Sequence, residues 1–275
     1  MKRILFSALA ACLAVLQVDA QTRYLDEVFD EVTVTTDVVY GENITVIPAL
    51  QGLPPAMEDL KMDVYEPTGD TETNRPLLLI FHTGNFLPPF VNGGVLGSKS
   101  DNWEVEMATR YAKMGYVVAS CDYRLGWNPL ASTQQERTLQ LIQAAYRGVQ
   151  DSRTAVRYFR KSEDTEGNPY GIDPDKIGMI GNGTGGYITL ASATIESYND
   201  IILDDTGSPI TKFWYDPGDG SFIPMVIEGI HGDPDATTDT YAPASVGGFQ
   251  LCAANHVGYS SDFNFQMNAG GALVI

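Results

Sequence analysis

Apolar residues fall along the chain in short interrupted blocks, and the form of each block points to an element. Leu60, Met62 and Val64 alternate with Lys61, Asp63 and Tyr65, the period of a half-buried strand, which Pro67 stops. Upstream, the β-branched stretch Thr33–Tyr40 predicts a first strand closed by Gly41. Leu77–Phe81, opened by Arg75-Pro76, is apolar at every position, as expected of a central strand covered on both faces. Asn102–Met114 fits a helix and Tyr116–Ser120 a further buried strand. Glu136–Lys161 reads as a long amphipathic helix, open to a bend or break at Gly148. Ile177, Met179 and Ile180 form a short strand that runs through a glycine cluster into a helical pattern ending near Ser197. This alternation predicts an α/β fold, a mainly parallel sheet with helices on both faces. Residues 199–262 are irregular, rich in Asp, Gly, Pro and Thr, and suit loops or a cap above the sheet. Phe263–Ile275 reads as a further strand, with the apolar run Ala272–Ile275 at its end, so the fold is expected to lack its last strands.

Composition narrows this picture. The chain has 275 residues, 44% of them hydrophobic, enough for one sizeable core, here placed in residues 21–275. A net charge of −18 would repel phosphate backbones and anionic membrane surfaces, so nucleic acid is excluded as a partner. The first 20 residues read as an export leader: Lys2 and Arg3, an apolar run from Ile4 to Val18, and Val18-Asp19-Ala20 ahead of a cut after Ala20. The run is shorter than the ~20 residues that span a bilayer, which weighs against a membrane anchor. Leu9-Ala10-Ala11-Cys12 is similar to a lipobox, but apolar sequence continues past Cys12. A secreted or periplasmic product follows. It keeps Cys121 and Cys252, one permitted bridge or two buried thiols.

The candidate chemistry sits at Gly181-Asn182-Gly183-Thr184-Gly185, between a strand and a helix. This is the frame of the G-x-S-x-G nucleophile elbow with Gly183 where the serine would stand. The outer glycines suit a close approach of strand and helix. Asp216-Pro217-Gly218-Asp219-Gly220 and Asp233-Pro234-Asp235 have the looseness of calcium loops but not a regular ligand pattern, and such clusters are first of all turns. No metal and no cofactor are expected. Asn43-Ile44-Thr45 and Asn182-Gly183-Thr184 match the glycosylation sequon, the second in a turn too tight for a glycan.

Taken in order, four segments between about Val38 and Ser197 resemble the α/β-hydrolase superfamily, specifically its secreted carboxylesterase and lipase-like members. His82-Thr83-Gly84-Asn85-Phe86 is similar to the H-G-G-G-F oxyanion loop, and Asp122-Tyr123-Arg124-Leu125 to the D-Y-R-L after the next strand. Gln150-Asp151 with Ala155-Val156-Arg157-Tyr158 resembles the family's Q-D helix, and Tyr170–Ile177 the lead into the elbow. The resemblance implies an oxyanion hole made by the N–H groups of Gly84 or Asn85 and of Thr184, acting on a carboxylic ester such as an acylated sugar or lipid. It also implies a structural role for Arg124, which could pair with Asp151. The departures are Thr83 and Asn85 in place of two glycines, and Gly183, which has no nucleophilic atom. Thr184 is a weak substitute, one residue on and stiff at χ1. The triad acid and histidine are expected after later strands; His231 and His256 come too early. A protein inactive as a serine hydrolase follows, with a ligand-binding or scaffold protein, or a piece of a longer hydrolase, as alternatives.

Overall fold

The computed structural model describes residues 22–94 and 96–270; the leader with Cys12, and residues 271–275 of the last predicted strand, lie outside the described residues. Six strands form one sheet: β1 (Val32–Thr45), β2 (Ala56–Pro67), β3 (Arg75–Phe81), β4 (Val117–Cys121), β5 (Ile172–Asn182) and β6 (Phe265–Ala269). They lie in the order β1-β2-β4-β3-β5-β6. The first two pairings are antiparallel and the other three parallel, so the sheet is mainly parallel where its strands are most buried.

The alternation of β3 divides the core in two. Leu77, Leu79 and Phe81 face α2 (Gln134–Glu166) and α3 (Thr184–Thr194), packing with Met179, Val156, Phe159 and Ile188. Leu78 and Ile80 face the opposite layer, where Ala108 and Ala112 of α1 (Asn102–Lys113) close over Val118 and Ile180. Each large side chain buried this way contributes about 1.5–3 kcal/mol, which is why Leu77–Phe81 carries no polar residue.

Several boundaries differ from the sequence expectation. β1 runs past Gly41 to Thr45, its ladder shifting register between Thr35 and Val38 and again between Val39 and Gly41. Bulges of this kind absorb the residue that a period-two count takes for a strand end. α2 is continuous through Gly148. A Cβ at Gly148 would lie 2.6 Å from the Ile188 Cδ1, so this glycine marks a close approach of α2 and α3 and not a break. The start of α2 is fixed by a capping box, Thr133 accepting from the Glu136 N–H at 3.1 Å while Glu136 accepts from the Thr133 N–H at 3.2 Å. α3 ends at Thr194, short of Ser197. Residues 199–262 hold short helices and two two-stranded ribbons, partly packed as a small cluster of Tyr146, Ile201, Ile202 and Val226. Cys121 and Cys252 are both buried and free.

Candidate functional site

The reversal from β5 into α3 falls on one residue. Gly183 stands at φ 52° and ψ −114°, a backbone conformation that costs an L side chain of order 1–3 kcal/mol and glycine far less. The sharp elbow geometry is therefore present without a side chain on it. Its flanks are set by backbone contact: a Cβ on Gly181 would lie 2.1 Å from the Gly185 carbonyl oxygen, and one on Gly185 2.0 Å from that of Phe81. Only glycine lets α3 begin this close to β5 and β3.

Register then decides what faces the elbow. Phe81 pairs with Gly181 across the parallel β3–β5 ladder, so Thr83, two residues beyond β3, comes level with Gly183. On the other side the Gly183 N–H donates to the Ala269 carbonyl at 3.1 Å, seating the elbow between β3 and β6.

The loop after β3 is held in an uncommon backbone path. Gly84, Asn85 and Phe86 have φ of 118°, 59° and 56° in succession, two of them non-glycine residues in the left-handed region. The carbonyls are pinned: Leu87 N–H donates to Gly84, the Trp127 indole N–H to Asn85 at 2.8 Å, and Gly126 N–H to Phe86. Strain held at a loop beside an elbow is a feature of ligand-facing backbone.

Beneath the loop lies a chain of polar groups. The Tyr123 hydroxyl donates to the His82 carbonyl at 2.9 Å, which leaves the Thr184 hydroxyl to donate to Tyr123 at 3.2 Å. Thr184 is buried and its oxygen is engaged in this chain. The His82 ring stacks on Tyr123 with centroids 4.3 Å apart, and its Nδ1 lies 2.5 Å from the Thr83 carbonyl, so that nitrogen carries the proton. Nε2 faces the Asp122 carboxylate at 3.5 Å without a hydrogen bond. Burial lowers the His82 pKa, and burial raises that of Asp122, so both are biased toward their neutral forms.

Sequence reasoning missed Glu104. It is fully buried beside the elbow, where the Asn182 side chain donates to Oε1 at 3.0 Å. Its Oε2 has no hydrogen-bond partner, and burial raises its pKa. A signal existed: Glu104, Ala108 and Ala112 recur every fourth residue, placing the carboxylate on the buried stripe of α1. In the sequence Tyr123 stands out only as part of a motif; its position as the link between loop and elbow depends on strand register.

The remaining candidates stand elsewhere. His256 lies across the sheet, its Nε2 against the Tyr40 carbonyl of β1 at 2.7 Å. His231 Nδ1 is engaged by the Ile227 backbone, and burial pushes its pKa down to about 4. Asp216 and Asp233 cap their own turns, accepting N–H groups of Gly218 and Gly220 and of Asp235 and Thr237. No group of three or more metal-type ligands occurs among the described residues. Asn43 is fully buried and bonded to the Ala253 backbone, which closes that sequon to a glycan in the folded chain. Arg124 and Asp151 form a wholly buried pair at 2.8 Å, with Gln150 and the Ile44 and Arg147 carbonyls completing the guanidinium's partners. A cleft of about 770 Å³ lies beside β6, and another of about 500 Å³ near His256; neither is lined by an elbow residue.

The BD-FAE family model matches residues 62–213, which include the loop, the elbow and the Arg124–Asp151 pair. No curated protein matches the chain. Among solved structures it is similar to a thermophilic esterase of Thermogutta terrifontis with butyrate bound, at 22% identity over 56% of this chain and 44% of that one, TM-score 0.33. It is also similar to esterase B of Lactobacillus rhamnosis, at 20% identity over 72% and 50%, TM-score 0.37. A bacterial heroin esterase is 25% identical over 68% and 44%, TM-score 0.35. The chain spans about half the length of these structures.

Proposed function

The chain belongs to the BD-FAE family, within the α/β-hydrolase superfamily, and from that premise we propose an exported protein of carboxylesterase lineage that has lost serine-hydrolase chemistry. The observation that carries this reading is Gly183, which holds the elbow's backbone conformation and has no oxygen to offer. Covalent acyl transfer needs an activated oxygen or sulfur at that point. Thr184 does not replace it, because its hydroxyl is committed to Tyr123. Neither His231 nor His256 supplies a base, since the ring nitrogens that contact protein are held by backbone away from the elbow.

On this reading the site binds a small carboxylic ester or an acylated sugar or lipid without cleaving it. The donors assigned to the ligand's carbonyl are the N–H groups of Gly84 or Asn85 and of Thr184, the last at the open end of α3. The strained path of Gly84–Phe86 supports a ligand-facing role for this loop. Export rests on the leader read in residues 1–20. The test pairs two measurements on one sample, thermal unfolding and acid release with a panel of short-chain esters. A raised melting temperature with no acid released is the expected result. Release of acid that persists in Thr184→Val would overturn the loss of activity and point to another nucleophile.

A further inference from the structure

Thr83 stands where a side chain at position 183 would have to go. A Cβ built on Gly183 would lie 2.1 Å from the Thr83 Oγ1 and 2.8 Å from its Cβ. Real Cβ atoms essentially never approach another heavy atom within 3.0 Å. The two contacts differ in kind. Rotation about χ1 would swing Oγ1 aside, although χ1 of a β-branched residue is stiff. The Thr83 Cβ is fixed by the backbone, and the backbone is fixed by the parallel ladder that pairs Phe81 with Gly181. No rotamer of Thr83 therefore makes room. The His82 ring, itself stacked on Tyr123, engages the Thr83 carbonyl and restrains a shift of the chain.

We infer that Thr83 and Gly183 are an interlocked pair, the Thr83 side chain filling the space of the missing nucleophile, so that a side chain is admitted at 183 only after Thr83 is cut back. This deepens the proposed function and rests on its assignment of Gly183 to the nucleophile position. It identifies Thr83 as the positioning residue that keeps the elbow empty. It also means that Gly183→Ser alone does not rebuild a serine elbow. The change that opens the site is Thr83→Gly with Gly183→Ser.

The test is a cycle read as urea unfolding midpoints, with Gly183→Ala introduced into the Thr83, Thr83→Ala and Thr83→Gly backgrounds. Backbone strain at 183 is common to all three, so only the contact varies. The expected drop in midpoint is largest with threonine, smaller with alanine, which keeps the Cβ, and at most half as large with glycine. An equal drop in all three backgrounds would overturn the pairing. If Gly183→Ala alone fails to fold, a folded Thr83→Gly/Gly183→Ala double variant supports the pairing and an unfolded one overturns it. Stability is independent of ester chemistry, so failure here is distinguishable from failure of the functional reading. That reading is tested by whether the unaltered chain releases acid.

Discussion

Two buried polar clusters lie at the ends of neighbouring strands, and they are finished differently. Beyond β4, the Arg124–Asp151 pair is fully satisfied: both carboxylate oxygens and all three guanidinium nitrogens have partners, and neither side chain reaches solvent. Beyond β3 and β5, polar atoms of the same depth are left open. Glu104 Oε2 and His82 Nε2 have no hydrogen-bond partner. Buried polar atoms are almost always paired, so a closed cluster reads as architecture and an open one calls for a reason, which the proposed function supplies for the elbow.

That comparison breaks most easily at its closed end. Asp151→Ala leaves the Arg124 guanidinium charged and unpaired in the core, and a loss of about 3–5 kcal/mol is expected from denaturant unfolding. A loss under about 1 kcal/mol would mean that the pair is dispensable. Gly185→Ala comes next. Its Cβ would meet the Phe81 carbonyl at 2.0 Å, backbone that has no rotamer to yield, so a cost at the upper end of about 1–3 kcal/mol is expected in the same assay.

The open cluster gives smaller effects, and at Glu104 one of the opposite sign. Burial holds the Glu104 carboxyl above its usual range, so the native state binds that proton more tightly than the unfolded chain. The sign follows from linkage: this contribution to stability is fully present below the unfolded value, ~4.3, and is lost as pH rises through the raised native value. Glu104→Gln should flatten that decline and unfold at higher urea than the parent at pH 7, by about 1 kcal/mol, since the cost of ionising a buried carboxyl is removed. A decline of unchanged slope would place the pH dependence on another group. Smallest is Thr184→Val, which forfeits one hydrogen bond to Tyr123 and should cost about 1 kcal/mol or less. Any loss of ester hydrolysis on that substitution would restore Thr184 as a nucleophile.

The same contrast explains what the sequence discloses. Strands and the elbow frame are legible because unbroken apolar runs and obligatory glycines are local: Leu77–Phe81 and Gly181–Gly185 announce themselves. The Arg124–Asp151 pair is legible through its motifs. Gly148 misleads because a helix-packing glycine and a helix-breaking glycine look alike until Ile188 is placed against it. Glu104 was visible on the stripe of Ala108 and Ala112 but carries no motif. Thr83 against Gly183 was not visible at all, since their contact is a product of β3–β5 register across a hundred residues.

On the proposed function the elbow is kept and the nucleophile is absent. A fluorophosphonate probe reports on this directly, because it marks an activated hydroxyl whether or not the natural ester is known. The account predicts that the chain's intact mass is unchanged after incubation with the probe. A stoichiometric adduct mapped by peptide mass to Thr83, Thr184 or any other hydroxyl near the elbow would contradict it.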